Sequence, residues 1–538
     1  MKKIKKYNVH LLFIILSILG IWLIQANGEP VMKTTLNGLD AAFHFSRIQS
    51  LADIFQSPVN FEYFNHIGGI ANLFYPWLTV YPMYLLYALT GNIVLSFYIY
   101  FMIMTWMGLE ITYYCALKMK VKPMPAVITA VIYMFSLCRI SNIYYRVAIG
   151  EAVAMTFLPL VVYGCYALFY KEKPQWLPLM FGMTLITYTH VISLILATTL
   201  VLCFMVIALI QKRWTKQVWW ALVKATLVTL LLASAFLVPM MEMMTAIPIS
   251  SPQIYQLFES AVKMQDLIAQ SLNNDVGAVN TYGIVLFILL GWMIYQHKTC
   301  TGFFKPLLWL SGLFTIMATQ LFPWQFFQSI FMFIQFPWRF IALASLLISL
   351  LFGHYLSTKK ISLKKASLII GVVMMIHAST IEKVMLIDGR EFGYNNKAIQ
   401  TLITGTDGFN GDRDYIPKKG TGVFDTVKAQ HVAVNRTWIV PKETSYNKNN
   451  AKYHIVANKK GYGALPIYYY KGMTLKHNNK VINCKQDENG LVYIPVNKGN
   501  NSYQLTVSYT PIARLAQGIS FISFLGLIVF VLVKRKRI

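Results

Sequence analysis

Runs of about twenty apolar residues, separated by short basic stretches, recur along most of this chain and set the solvent it folds in. The first, "LLFIILSILGIWLIQA", follows the basic start "MKKIKKYNVH". Charged residues make up 13% of the 538 residues and hydrophobic ones 56%. A soluble domain carries about a quarter charged residues, so lipid is the main solvent here. The fold class that follows is mainly α, a polytopic membrane helix bundle.

The formal net charge of +27 suggests nucleic acid at first sight. The lysines and arginines fall between apolar runs, however, as the positive-inside rule requires, and no nucleic acid is expected as a partner. "KMKVK" (118–122), "KEK" (171–173), "QKRWTK" (211–216), "STKKISLKK" (357–365) and "KRKRI" (534–538) all belong on the cytoplasmic side. "QANGEP" is a mediocre cleavage site, so the first run reads as an uncleaved span with a cytoplasmic N-terminus. Residues 26–72 then form the first outer loop. Further spans fall near 93–117, 124–140, 151–170, 175–190, 191–211, 217–238, 281–296, 306–320, 340–357, 363–381 and 512–533. That makes about twelve crossings with both termini inside. "LFYPWLTVYPMYLLYAL", with Pro76 and Pro82, reads as a broken helix dipping into the outer leaflet beside a cavity.

The expected domains are a transmembrane domain over 1–381, a small extracytoplasmic β-rich domain over 382–511, and a last span with a basic tail over 512–538. The middle segment has no run long enough to span. It carries alternating stretches such as "VYIPV" and "SYQLTVSY" between the turn signals "DENG" and "NKGNNS". Its 18 Lys/Arg against 10 Asp/Glu read mainly as solubilising charge. The six cysteines show no disulfide framework and no metal-binding spacing.

Ionisable residues at the outer ends of spans are the candidates for chemistry, because charge at membrane depth is costly and faces a cavity or a partner. "NGLDAAFHFSRIQS" places Asp40, His44 and Arg47 on one face of a helix. "CRISNIYYRVAIGEAVAMTFLP" holds Arg139, Arg146 and Glu151, "TYTHVIS" holds His190, and "QFPWRF" holds Arg339. Each has a plainer reading: Asp40 as a helix cap, Glu151 as the ion-pair partner of Arg146, His190 as a satisfied core histidine, Arg339 as a headgroup anchor. Arg47 and Arg139 read as structural or headgroup-facing. A carboxylate beside a cavity with guanidinium groups nearby suits attack by a hydroxyl with a phosphate as leaving group. Outside the cell such a donor has to be membrane-borne, and a polyprenyl-phosphate sugar meets that need.

"GLDAAFHFSRI", "YRVAIGEAVAMTFLPL", "YTHVISL" and "QFPWRFIAL", in this order, resemble bacterial multi-span proteins of the YfhO-like type. That group is similar to the GT-C superfamily of membrane glycosyltransferases, and some relatives are labelled "6-pyruvoyl-tetrahydropterin synthase-related". The resemblance implies a GT-C-like bundle, a lipid-phosphate sugar donor, and an acidic catalytic base in the first outer loop, which falls on Asp40. One aspartate stands where some such enzymes show a pair, so a divalent metal is left open.

The reading that results is an inverting glycosyltransferase in a bacterial plasma membrane, moving sugar from a polyprenyl-phosphate donor to an envelope polymer, glycolipid or protein. Asp40 is the expected base, Arg339 and Arg146 hold the donor phosphate, and His44, Glu151 and His190 contact substrate. The alternatives are a transporter or flippase of a lipid-linked saccharide and a non-catalytic envelope-assembly protein. Internal symmetry of the sort transporters often show is not visible in the sequence.

Overall fold

The computed structural model describes residues 6–22, 25–26, 29–30, 32–33, 40–250, 252–277, 281–386, 393–404 and 413–536. The basic N-terminal start, residues 34–39 of the first loop, part of "DRDYIP" and the end of the basic tail lie outside them. By internal contacts the chain forms two compact units. One comprises residues 1–39, 90–229 and 253–396, the other 40–89, 230–252 and 397–538.

The molecule is a polytopic helix bundle with a small β-rich part near its C-terminus. Among the described residues, seven helices are long and apolar enough to cross a membrane: Ile93–Lys118, Ile149–Phe169, Val191–Ile210, Lys216–Ala246, Pro337–Thr358, Leu363–Val384 and Pro511–Lys534. The pair Pro123–Met134 and Leu137–Tyr145, bent by 43°, makes an eighth if it is one span. The other four expected crossings fall on shorter apolar helices, Asn8–Ile21, Leu177–Thr187, Gly283–Tyr295 and Phe304–Met317. An eleven-residue helix such as Leu177–Thr187 rises only about 16 Å, roughly half of the ~30 Å hydrocarbon core.

In the first unit, the helix Ile149–Phe169 is central, with 94% of its apolar window buried. A helix apolar all round is what such a position demands. It packs backbone to backbone against Leu177–Thr187. A Cβ on Gly164 would lie 2.6 Å from Leu179 Cα, and one on Gly182 would lie 2.9 Å from Val161 N. Small residues permit such close approach between helices that share no hydrophobic driving force in lipid.

In the second unit, nine strands between Val432 and Val507 form two antiparallel sheets. One, of five strands, runs Lys480–Ile482, Met473–His477, Gly499–Val507, Asn450–Ala457, Glu443–Asn447. The other, of four, runs Leu491–Val496, Gly461–Tyr468, Val432–Val434, Thr437–Ile439. Alternate residues of Asn450–Ala457 are buried, as a sheet with one packed face requires. The hairpin Met473–His477/Lys480–Ile482 turns on Asn478 and Asn479, both at positive φ (45° and 66°). Asparagine tolerates that region, and two such residues match the twist of the paired strands.

Residues 40–72 of the first loop belong to this second unit. Phe61, Phe64 and Ile67 join the same buried core as Tyr453, Ile467 and Leu505. Phe61 N donates to Lys448 O at 2.6 Å, and Tyr468 N donates to Ile67 O at 3.2 Å. Arg514, near the start of the last helix, donates to Phe55 O (2.7 Å) and Gln56 O (3.0 Å). The loop is therefore bound at several points along its length. "LFYPWLTVYPMYLLYAL" yields the helix Tyr81–Thr90, preceded by the short turn Ala71–Phe74.

Candidate functional site

Three helices of the first unit begin at one place. Glu151 lies in the first turn of Ile149–Phe169, His190 caps Val191–Ile210, and Arg339 stands at the N-cap of Phe340–Thr358. Each helix N-terminus carries partial positive charge, so a carboxylate is favoured there and a guanidinium needs compensation. Glu151 supplies it. Its Oε1 accepts from Arg339 Nε at 2.8 Å, and its Oε2 and Oε1 accept from Arg146 Nη1 and Nη2 at 3.0 and 3.4 Å. The three side chains are 7–11% exposed, so this is a buried triad in which one carboxylate joins two cations.

The surroundings hold each arginine in place. Arg146 also donates to Asn142 Oδ1 at 2.8 Å and lies 4.5 Å over the Trp338 ring. Arg339 donates through Nη1 to Ile334 O and to Gln335 Oε1, the latter at 3.2 Å. Its Nη2 makes no hydrogen bond among the described residues. His190 Nδ1 contacts Ser193 Oγ at 2.9 Å and accepts from Ser193 N at 3.3 Å. It lies within electrostatic range of Glu151. Asn142, Glu151, Ser193 and Arg339 line the polar side of a narrow cavity, and Leu158 and Leu343 line its apolar side.

Local backbone departures build this corner. Ser141–Tyr145 is a π-helical turn, and Val147, between Arg146 and the next helix, has φ 54°. Gln335, four residues before Arg339, has φ 62°. Positive φ is a genuine outlier for a β-branched residue, and both positions flank the arginines of the triad. The segment before Gly283 braces the second of them: Ser260 Oγ donates to Gln335 O at 2.8 Å, and Gln335 Nε2 donates to Gln253 O at 3.0 Å.

The structure thus brings together four residues singled out from sequence, Arg146, Glu151, His190 and Arg339. Asp40 and His44 belong to the other unit. Asp40 is the N-cap residue of Ala41–Gln49, yet its side chain makes no capping hydrogen bond. His44 is 1% exposed and lies edge-on to Tyr75 with ring centroids 5.3 Å apart. Arg47 is not headgroup-facing. It is fully buried, donates to Pro76 O at 2.9 Å, and stacks 4.2 Å over Tyr75. Arg139 is also buried, and donates to Thr105 Oγ1 at 3.1 Å and Met134 O at 3.2 Å. Asn142 and Ser193 were missed from sequence because a lone amide or hydroxyl in an apolar run carries no signal. The six cysteines are all free.

Fold and site together define an integral membrane protein with a buried, cation-rich centre at converging helix ends. Residues 73–386 match the model of the 6-pyruvoyl-tetrahydropterin synthase related domain, a membrane protein family, and the chain belongs to that family. No curated protein matches it. Among solved structures, the arabinofuranosyltransferase AftD from Mycobacteria is similar, with a TM-score of 0.45 and 13% identity over 70% of this chain. A mutant form of AftD gives a TM-score of 0.45 and 14% identity over 72% of this chain. This chain spans only 27% and 29% of the length of those two. A likeness at that score places no residue and assigns no activity.

Proposed function

We propose that the protein is a membrane glycosyltransferase of the GT-C kind, taking sugar from a polyprenyl-phosphate donor on the outer face of a bacterial plasma membrane. The observation that carries this reading is the convergence of three helix N-termini on two arginines, Arg339 buried and Arg146 largely so, that share one carboxylate. Two guanidinium charges against one carboxylate leave an excess positive charge, and the helix ends add to it. Such a centre favours a phosphate, and Arg339 Nη2 is the donor left over to meet it.

In this reading Arg339 and Arg146 hold the donor phosphate and stabilise the charge that develops as the sugar leaves. Glu151 is a positioning residue: it fixes the two forks and offsets part of their charge. His190 and the apolar side of the cavity shape the substrate site. Asp40 is the base that accepts the proton of the attacking hydroxyl, with His44 one turn on. The acceptor is an envelope polymer, glycolipid or protein. The resemblance of the first-loop motif to GT-C enzymes supports the assignment of Asp40.

Purified protein in detergent, given a radiolabelled polyprenyl-phosphate sugar and membrane extract as acceptor, should transfer label without any ion gradient. A protein that binds the donor and releases sugar to no acceptor, but moves it across vesicles, would replace this reading with lipid-linked saccharide transport.

A further inference from the structure

The helix Ala41–Gln49 runs directly into a 3-10 turn, Ser50–Asp53, and one side of this continuous element is polar and buried. Ser46, Gln49 and Asp53 follow one another at spacings of three and four residues, so they share that side. Ser46 and Gln49 are fully buried and Asp53 is 7% exposed. Among the described residues, Ser46 Oγ, both amide atoms of Gln49, and Asp53 Oδ2 have no hydrogen-bond partner. Four such atoms on three neighbouring side chains are a marked departure, since buried polar atoms are almost always paired. By contrast, Asp53 Oδ1 accepts from Asn60 Nδ2 at 3.1 Å, and Asn72 Nδ2 donates to Ser50 Oγ at 2.8 Å. Ser50, Asn60 and Asn72 are thus paired, whereas these four atoms of the stripe are not.

The chemistry of the unpaired set selects its ligand. A metal cation would engage Gln49 Oε1 and Asp53 Oδ2 and leave the Gln49 amide hydrogens unpaired. An anion would engage those hydrogens and be repelled by Asp53. A ligand whose hydroxyls both donate and accept pairs with all four atoms. Tyr84 and Tyr509 lie within electrostatic range of Asp53. A tyrosine ring offers an apolar face to the C–H side of a sugar ring and a polar tip to its hydroxyls.

We infer that the Ser46–Gln49–Asp53 stripe is a saccharide-binding site, in which the carboxylate and carboxamide take a pair of ring hydroxyls. The assignment rests on the reading of the protein as a sugar-handling enzyme and adds the residues that recognise the sugar. Gln49 and Asp53 set which hydroxyl pattern is accepted, because a site built to pair with a hydroxyl rejects the sugar that lacks it.

The test is thermal unfolding of the full-length protein in detergent, titrated with the methyl glycosides of glucose, galactose, mannose, rhamnose, arabinose and N-acetylglucosamine. At least one sugar should raise the melting temperature saturably, as a ligand of the native state alone does. Gln49→Leu and Asp53→Asn should each weaken that sugar's effect by about tenfold or more, the loss expected for one or two hydrogen bonds. Ser46→Ala removes a single hydroxyl and should weaken it least.

Failure of every sugar to shift the wild-type melting temperature overturns the inference, and that arm needs no variant to fold. Equal sugar effects in wild type and all three variants would overturn it by placing the sugar elsewhere. So would a shift produced by sodium or calcium chloride alone and lost in Asp53→Asn, which would mark a cation site. Asp40→Asn should still show the sugar shift. Loss of transfer with retained sugar binding therefore bears on the proposed reaction, and loss of binding with retained transfer bears only on the stripe.

Discussion

The Arg146–Glu151–Arg339 centre and the Ala41–Asp53 helix bury polar groups in opposite ways. At the centre every carboxylate oxygen is paired and both arginines are held by several acceptors. Along the helix three neighbouring side chains keep atoms that have no hydrogen-bond partner among the described residues. The difference shows two kinds of site. A centre that holds buried charge engages its carboxylate fully, since an unpaired buried ion is too costly, and keeps Arg339 Nη2 over for a ligand. The stripe holds one carboxyl, Asp53, which burial pushes toward its neutral form, and its other unpaired atoms are neutral and cost far less than a buried ion.

The sharpest way to break the comparison is to remove the central carboxylate. Glu151→Ala leaves two guanidinium groups buried beside three helix N-termini, and truncating one member of a buried ion pair costs about 3–5 kcal/mol. We expect a protein that reaches the membrane poorly and unfolds early in detergent, measured by fluorescence-detected gel filtration. A variant as stable as wild type would mean that water already screens the pair.

Asp40→Asn replaces the first-loop carboxylate by an amide of the same shape that cannot take up the proton. A positioned general base contributes about 10²- to 10⁴-fold in rate, so transfer should fall by that factor with the melting temperature unchanged. If transfer persists, the base lies elsewhere. Arg339→Lys lies between these two in kind. It replaces a planar fork bonded to Glu151, Ile334 and Gln335 by a point charge, and transfer should drop about 10- to 100-fold while the protein inserts. Full activity would leave Arg339 as a structural partner of Glu151 only.

Much of this architecture is legible in the sequence. Apolar runs give the long helices, and the alternation in "SYQLTVSY" gives the strand Gly499–Val507. Arg146 and Glu151, five residues apart, suggest each other. Arg339 does not, because the partner it meets is 188 residues away in the chain. The positive φ of Val147 is equally silent, since nothing in "YRVAIG" asks a valine to adopt it. Helices such as Leu177–Thr187 are shorter than their apolar runs suggest, because hydropathy records burial and says little about where a helix stops. The stripe Ser46–Gln49–Asp53 carries no signal in the sequence for a different reason. Polar residues at helical spacing ordinarily mark a solvated face, and here that face is buried. Arg47 is the same case, a cation that looks like a headgroup contact and is in fact a clamp on the carbonyls of Tyr75 and Pro76. Arg47→Lys should therefore lower stability by about 1.5–3 kcal/mol, the range for hydrogen bonds to a charged group, read as a lower melting temperature.

The last test concerns Asp53, and the sign of its effect separates the two regions. Burial pushes the Asp53 carboxyl from the usual 3.8 up to about 6, against the smaller lowering effects of its backbone and Asn60 hydrogen bonds and of Lys448, with Glu62 acting in the raising direction. The folded protein thus holds this proton more tightly than the unfolded chain does. Its contribution to stability is fully present below about pH 4 and is lost as pH rises through about 6, since stability falls wherever the native state binds more protons. Asp53→Asn fixes the neutral form, so the variant should lose this dependence between about pH 4 and 6 and gain stability relative to wild type at pH 7. Melting temperatures of both proteins across that interval decide the matter. If the wild-type curve is flat there, or rises with pH in a way that Asp53→Asn abolishes, the carboxylate is stabilised as an ion, and the stripe is paired like the centre.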